Sequence, residues 1–209
     1  MAETTLTAFI AALFSMMNPI GNVGIFAGMT ADREAAEAKL IAWKCAAACA
    51  ITLLIVIWTG GALLDFFGIS VDQLRAAGGI IVLLIGLHML FNKSEHKTSA
   101  AESEDAKARE SIAVVPLAIP LVAGPGTMAT VLVAAQRHSG IMAKVEISVA
   151  AAVLCILTGA FFAYSRKVAN LLGESGMAVV TRVMGMVLVA IAVGMLADGL
   201  KNLLPGLAK

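Results

Sequence analysis

The chain has 209 residues, of which 60% are hydrophobic and 14% charged, with a formal net charge of +1 at pH 7. Its mean hydropathy is +0.92. A soluble domain does not need so large an apolar fraction, so the composition predicts an integral membrane protein. A net charge this close to zero argues against nucleic acid as a partner, because nucleic-acid binding calls for an excess of basic side chains.

Six apolar segments are long enough to cross the hydrocarbon core of a bilayer, which takes about 20 helical residues. In chain order they are Thr5–Met29, Ile41–Phe66, Val71–Phe91, Ile112–Ala135, Val145–Tyr164 and Met177–Leu203. We interpret the first as a retained span, since no Lys or Arg precedes Arg33 and a signal peptide needs a basic start. The sequence therefore predicts an all-α fold and a single transmembrane domain over residues 1–209.

The longest polar stretch, residues 92–111, joins the third segment to the fourth. It is rich in Lys, Glu, Ser and Ala and has no apolar stripe, so it is predicted to be a loop. Ten of the 15 Lys and Arg residues lie on the same side of the membrane as this loop. Because basic residues favour the cytoplasmic side, we expect the loop in the cytoplasm and both termini outside.

The two halves of the chain resemble each other. Pro19 matches Pro125 at an offset of 106 residues, and Met89 matches Met195 at the same offset. Arg75–Gly78 matches Arg182–Gly185 at an offset of 107. These matches predict repeat one over residues 1–91 and repeat two over residues 112–209. Three spans per repeat is an odd number, so the second repeat must be inverted relative to the first, as in many secondary transporters.

Breaker residues interrupt the first and fourth segments, in the stretches NPIGN (Asn18–Asn22) and AGPGT (Ala123–Thr127). Proline has no N–H and clashes with the preceding turn, and glycine loosens the backbone further. Such a break inside a bilayer must be buried in protein or line a cavity. Asn18 and Pro125 each lie 13 residues after the start of their segments, or about 20 Å of helix, so both breaks are predicted near the middle of the membrane.

Each break is predicted to present the N-terminus of a half-helix. Asn18-Pro19 and Gly124-Pro125 both fit an N-cap followed by proline at the first helical position. Free N–H groups there favour a carboxylate, and free carbonyls of the preceding half-helix suit an ammonium group or a cation. The predicted binding residues are Asn18, Pro19, Gly21, Asn22, Gly124, Pro125, Gly126 and Thr127. Proline kinks that serve packing alone remain the alternative.

Charged residues are absent from the centres of all six segments. A cationic substrate normally calls for a buried carboxylate and a dianion for an Arg or Lys, so the best-fitting ligand is a small molecule of no net charge that carries a carboxylate. We interpret Arg75 and Arg182, near the starts of their helices, as snorkelling to the interface, with gate pairing to Asp72 or Glu174 as the alternative.

The three cysteines, Cys45, Cys49 and Cys155, all lie in apolar runs without a neighbouring His or carboxylate. We interpret them as packing residues, and predict neither a disulfide nor a metal site.

The stretches SMMNPIGNVGIF and PLAIPLVAGPGTMATV, with the pattern of spans, resemble the MarC family of bacterial and archaeal inner-membrane proteins over nearly the full chain. Members characterised as transporters carry small neutral amino acids, glycine and alanine among them. The family is similar to the LysE-type superfamily, in which two inverted three-helix repeats hold the substrate at discontinuities in the first and fourth helices. The resemblance implies that Asn18–Asn22 and Gly124–Thr127 supply the two halves of the site.

We therefore expect a secondary transporter for a small zwitterionic amino acid in the cytoplasmic membrane, working by alternating access. No enzymatic activity, catalytic residue, metal or cofactor is expected; the coupling ion, Na⁺ or H⁺, is left open, as is the oligomeric state. Two alternatives remain, a small channel for a neutral solute or ions and a non-transporting membrane scaffold. A thiol–electron carrier would need cysteines in the broken helices, and a divalent-metal exporter would need inward carboxylates or His.

Overall fold

The computed structural model describes residues 3–91, 118, 122–138, 140–204 and 206. Every regular element among them is helical, which confirms the all-α prediction. The helices are α1 Glu3–Met17, α2 Val23–Met29, α3 Ala35–Phe67, α4 Val71–Phe91, α5 Pro125–Arg137, α6 Ile141–Ala163 and α7 Ser165–Leu203. The predicted loop 92–111 lies outside the described residues, as does most of the fourth segment before its break.

Four stretches are long and apolar enough to cross a membrane: α3, α4, α6 and Ser175–Leu203 of α7. The helix α3 has 33 residues, about 50 Å of helix, and begins six residues before the predicted Ile41. Within α7 the backbone leaves helical geometry at Gly173, with φ 63° and ψ 178°, so residues 165–172 form a separate helical stretch. The first segment is broken, as predicted, into α1 and α2.

Glycine fixes the end of α3. Gly68 has φ 65° and ψ 28°, the left-handed conformation that glycine adopts without a steric penalty. The N–H of Ile69 then reaches back to the carbonyl of Leu64 at 2.9 Å, which satisfies a carbonyl that the helix leaves free. This cap turns the chain directly into α4, two residues later.

The helices pack in pairs that each take one member from either half of the chain: α4 lies along α7, α3 along α6 and α1 against α5. Between α4 and α7 the backbones approach closely, because a Cβ at Gly86 would lie 3.0 Å from the backbone nitrogen of Val189 and 3.0 Å from the carbonyl of Gly185. Small residues at such crossings permit dense packing in a membrane, where burial away from water supplies no driving force.

A cluster of buried apolar side chains from α1, α2, α3, α5 and α6 forms the main core. The sulfurs of Cys49 in α3 and Cys155 in α6 lie 3.5 Å apart within it, and both thiols are free. The large apolar side chains on the outer faces of α3, α4, α6 and α7 are exposed, as expected for helices that face lipid.

Candidate functional site

The first break, between α1 and α2, is built by two asparagines. Asn18 has φ 45°, a left-handed conformation that asparagine tolerates better than most residues. Its N–H donates to the Phe14 carbonyl at 2.9 Å and ends α1, while its Oδ1 accepts the N–H of Gly21 at 3.3 Å. Asn22 Nδ2 donates to the carbonyl of Met17 at 3.1 Å. The turn is therefore held by side chains that bond to its own backbone.

The second break precedes α5. Gly124 is the N-cap residue, with extended backbone, and Pro125 opens the helix. Thr127 Oγ1 donates to the carbonyl of Val122 at 2.8 Å, and the N–H of Ala123 donates to the carbonyl of Ala118 at 2.8 Å. In both breaks a polar side chain thus reaches back five residues to a carbonyl of the preceding segment.

Both breaks lie against α4. A Cβ placed on Gly126 would lie 2.5 Å from Val82 Cγ2 and 3.6 Å from Met16 Sδ, so the start of α5 touches both α4 and the end of α1. Asn18 Nδ2 lies 3.6 Å from Met89 Sδ, also on α4. The two breaks therefore share α4 as a neighbour, at Val82 and at Met89, seven residues apart.

Two sequence predictions about the breaks need correction. Asn18-Pro19 is not an N-cap followed by the first helical residue, because α2 begins at Val23 with Asn22 as its N-cap. The residues from 19 to 22 form the turn instead, since the backbone leaves helical geometry at the left-handed Asn18 before the helix restarts. The carbonyls of Met17 and Val122 are also not free, because Asn22 and Thr127 donate to them.

The N-cap prediction at Gly124-Pro125 is confirmed. Neither α2 nor α5 has a side-chain hydrogen bond capping its N-terminus. The first N–H groups of a helix have no partner within the helix. At α2 the N–H of Val23 donates to the carbonyl of Ile20 in the turn at 3.2 Å, and at α5 Pro125 has no N–H.

Seven of the eight predicted binding residues are buried, and Pro125 is exposed. Asn18 retains 5% of its full exposure, Asn22 7% and Thr127 3%. The side chains that would receive a ligand are thus shielded from solvent in this conformation.

One end of the bundle carries a polar cluster, which we call the Asp72 cluster. Arg75 Nη1 lies 3.1 Å from Asp72 Oδ1, and Asn202 Nδ2 donates to the same oxygen at 3.0 Å. The side chain of Arg75 is only 5% exposed, so it does not snorkel to the interface as predicted; the alternative, pairing with Asp72, is what the structure shows. Arg137 and Asp198, at 3.5 Å and largely exposed, join α5 to α7.

At the other end of the bundle Arg166 joins the start of α7 to the end of α2. Its Nη2 donates to the carbonyl of Arg33 at 2.6 Å and to that of Thr30 at 2.9 Å. Below this contact the rings of Phe26 and Phe162 stack with centroids 4.7 Å apart. Since α3 runs without interruption from one end to the other, the Arg166 contact and the Asp72 cluster lie at opposite faces.

Sequence reasoning missed Met89, Val82 and Arg166. Met89 had a signal, because it matches Met195 in the repeat, but nothing in its type pointed to a polar neighbour. Val82 is one apolar residue among many in α4. Arg166 counted only toward the charge bias, since its partners are backbone carbonyls and leave no trace in the sequence.

Comparison with known proteins gives a consistent result. The model of a family described as MarC family integral membrane protein matches residues 4–204. The chain is 40% identical over 196 residues to the UPF0056 membrane protein YvbG of Bacillus subtilis, covering 93% of each chain. It is 35% identical over 200 residues to YhcE of Escherichia coli, another UPF0056 membrane protein, covering 95% of this chain and 93% of that one. No solved structure matches.

Proposed function

The chain belongs to the MarC family of integral membrane proteins, and on that premise we propose that it is a secondary transporter of small neutral amino acids such as glycine and alanine. The observation that carries the proposal is that two helix breaks both lie against α4, each followed by a helix whose N-cap residue makes no side-chain hydrogen bond. Two such N-termini offer backbone N–H groups and positive dipole ends to a carboxylate. No charged side chain lies in either break, which suits a zwitterion better than an ion of net charge.

The proposal includes an inverted repeat, six spans in two halves with the first and fourth spans broken. Contacts at a constant offset of 106 residues support it. A Cβ at Gly79 would lie 2.9 Å from Leu196 Cγ, and a Cβ at Gly185 would lie 3.2 Å from Leu90 Cγ. Gly79 and Gly185 are 106 residues apart, and so are Leu90 and Leu196. Each glycine therefore contacts the equivalent leucine of the other half. Two-fold symmetry produces such reciprocal contacts.

A residue that touches its own equivalent lies near a two-fold axis. Cys49 and Cys155 are 106 residues apart and their sulfurs are 3.5 Å apart. This contact favours an axis passing through the crossing of α3 and α6. Motion of one repeat against the other would then exchange the environments of the two membrane faces, which is the basis of alternating access.

We propose that both faces of the bundle are closed in one step of that cycle. The Asp72 cluster lies at one face and the Arg166 contact at the other, while Asn18 and Thr127 are buried. We assign this arrangement to an occluded conformation. Breaking the contacts at one face while keeping those at the other would open the site to one side at a time.

The proposed location is the cytoplasmic membrane, with the stretch 92–111 in the cytoplasm and both termini outside. The excess of Lys and Arg on the side of that stretch supports this orientation. The face closed by Arg166 would then be cytoplasmic, and the face closed by the Asp72 cluster would be external.

A counterflow assay in vesicles tests the function. Purified protein is reconstituted, loaded with unlabelled alanine and diluted into trace labelled alanine; a carrier produces transient accumulation of label above the outside concentration. Imposed Na⁺ or H⁺ gradients in the same vesicles identify the coupling ion. A saturating flux without counterflow, or a non-saturating flux, would favour a channel.

If no neutral amino acid shows protein-dependent flux or binding, the amino-acid proposal is wrong, and the alternative of a non-transporting membrane scaffold remains. For the site residue Thr127, the effect of Thr127→Val on transport is compared with that of a matched control variant, Thr158→Val. Thr158 is as buried as Thr127 and also bonds to a backbone carbonyl, but it lies in the unbroken helix α6.

A further inference from the structure

Two ammonium groups converge on one aromatic ring at an end of the α3–α6 pair. Lys39 Nζ of α3 lies 5.8 Å from the centroid of the Tyr164 ring, and Lys167 Nζ of α7 lies 5.7 Å from it. Tyr164 occupies the junction between α6 and α7 and is 52% exposed. Each cation is attracted to the ring, and two positive charges beside one exposed ring favour an anion at this end.

The opposite end of the same face carries a smaller version of this arrangement. Lys144 Nζ lies 5.9 Å from the Trp58 ring, and Trp58 Nε1 donates to Ser148 Oγ at 3.2 Å. Trp58 and Trp43 are both exposed and lie 15 residues apart on α3, about 22 Å of helix. Trp and Tyr concentrate at the two membrane interfaces, so this pair marks where the face enters and leaves the hydrocarbon.

Between the two ends the face is apolar. Ile51 and Ile55 of α3 and Ile156 of α6 are all more than half exposed. In a bilayer such side chains contact acyl chains. The Tyr164 end therefore combines paired positive charges at headgroup depth with an apolar strip leading away from them into the membrane.

We propose that the Tyr164 end binds an anionic glycerophospholipid, with its phosphate between Lys39 and Lys167, the Tyr164 hydroxyl as a further donor, and its acyl chains along the α3–α6 strip. A nearby carboxylate, that of Glu37, is held by Arg33 at 2.6 Å. The continuous apolar strip selects a lipid over free phosphate, because only a lipid fills both parts of the site. The proposal is independent of what the protein transports.

Lipid titration of the purified full-length protein tests the site. Phosphatidylglycerol and phosphatidylcholine with identical acyl chains are titrated into the protein in detergent, and binding is followed by native mass spectrometry and by the thermal unfolding midpoint. We expect wild type to bind phosphatidylglycerol more tightly. In Lys39→Gln and Lys167→Gln that preference falls by about fivefold per lysine removed, since each basic residue near an anionic headgroup contributes on that scale.

The matched control is Lys144→Gln, which removes the same type of cation–π contact at the opposite end of the face. We expect it to keep the wild-type preference within about twofold, since Lys144 contributes nothing at the other interface. The double variant Lys39→Arg/Lys167→Arg keeps both charges and is expected to keep the preference as well. It separates loss of charge from a folding defect.

Several outcomes would overturn the site. One is equal binding of the two lipids by wild type, and another is an undiminished preference in the double Gln variant. An equal loss in Lys144→Gln would show a diffuse charge effect with no site at Tyr164. Stabilisation by inorganic phosphate or glycerol phosphate alone, as large as that by the lipid, would assign the cluster to a soluble anion.

Discussion

At the scale of single residues, the breaks are held by side chains that replace missing backbone hydrogen bonds. Proline and glycine ensure that the helices stop, and this much follows from their chemistry. Asn22 and Thr127 then reach back to the carbonyls of Met17 and Val122. The sequence marked both residues as polar members of a site. It left open whether they would face a ligand or the backbone, because an amide or hydroxyl serves either purpose.

A threonine pair tests this role of Thr127. Thr127→Val keeps the side-chain shape but leaves the buried Val122 carbonyl without the hydroxyl that donates to it, and we expect a loss of about 1–3 kcal/mol of stability. Thr158→Val removes an equally short bond of 2.8 Å, yet the Leu154 carbonyl keeps its helical N–H partner. The loss of stability should therefore be about 0.5 kcal/mol or less. Thermal unfolding in one detergent compares them.

Equal losses in the two variants would contradict the assignment of a special role to the break. If the proposed transport site is correct, Thr127→Val also weakens alanine binding, and Thr158→Val leaves it at the wild-type level.

At the scale of helices, four of the six predicted spans correspond to described helices that are long and apolar enough to cross a membrane, while the predicted helix starts are less accurate. The predicted third span, Val71–Phe91, is helical throughout, and α4 begins where the apolar run begins, directly after Ser70. The helix α3 starts earlier than its apolar run, at Ala35, since the intervening Ala, Glu and Lys residues favour helix outside the hydrocarbon. The break at Gly173 was missed because a lone glycine does not announce a change of backbone geometry.

The α4–α7 contact provides a test at this scale. Gly86→Ala places a methyl group 3.0 Å from two backbone atoms of α7, so the helices must separate; we expect a loss of about 1–3 kcal/mol. Gly194 lies in α7, the helix that α4 packs against, but a methyl group added there meets nothing within 4 Å. We therefore expect Gly194→Ala to stabilise the helix by about 0.5–1 kcal/mol.

The thermal unfolding midpoints should therefore move in opposite directions. A midpoint for Gly86→Ala at or above that of Gly194→Ala would show that the close backbone approach is not required.

At the scale of the whole molecule, the proposed closures at the two faces of the bundle rest on different chemistry. One uses a guanidinium paired with a carboxylate, and the other a guanidinium bound to backbone carbonyls. Arg75 and Arg182, which the sequence matched between the two halves, differ in their surroundings, since Arg75 is buried and Arg182 is exposed.

Labelling from the two sides tests these closures. In a Thr127→Cys background, a membrane-impermeant thiol reagent should react slowly, because position 127 is buried and the native cysteines are 1% exposed. Adding Arg166→Gln should increase labelling several-fold from the Arg166 face alone. Adding Arg75→Met should increase it from the Asp72 face alone, since each change removes the contacts at one end.

Arg182→Met is the control, and we expect it to leave labelling and stability near the starting values, because exposed substitutions usually cost about 0.5 kcal/mol or less. Labelling that rises equally from both sides in either variant would indicate a leak through a damaged bundle and contradict separate closures.

The sequence by itself determined the membrane class, the helical fold and the positions of the two breaks, because hydropathy, proline and glycine act locally along the chain. Only the tertiary structure decided that Asn18 turns left-handed and moves the restart of the helix to Val23, that both breaks lie against α4, and that Arg75 is buried while Arg182 is not. These outcomes depend on which neighbours donate or accept hydrogen bonds and which side chains bury a residue, and many of those neighbours are distant in the sequence.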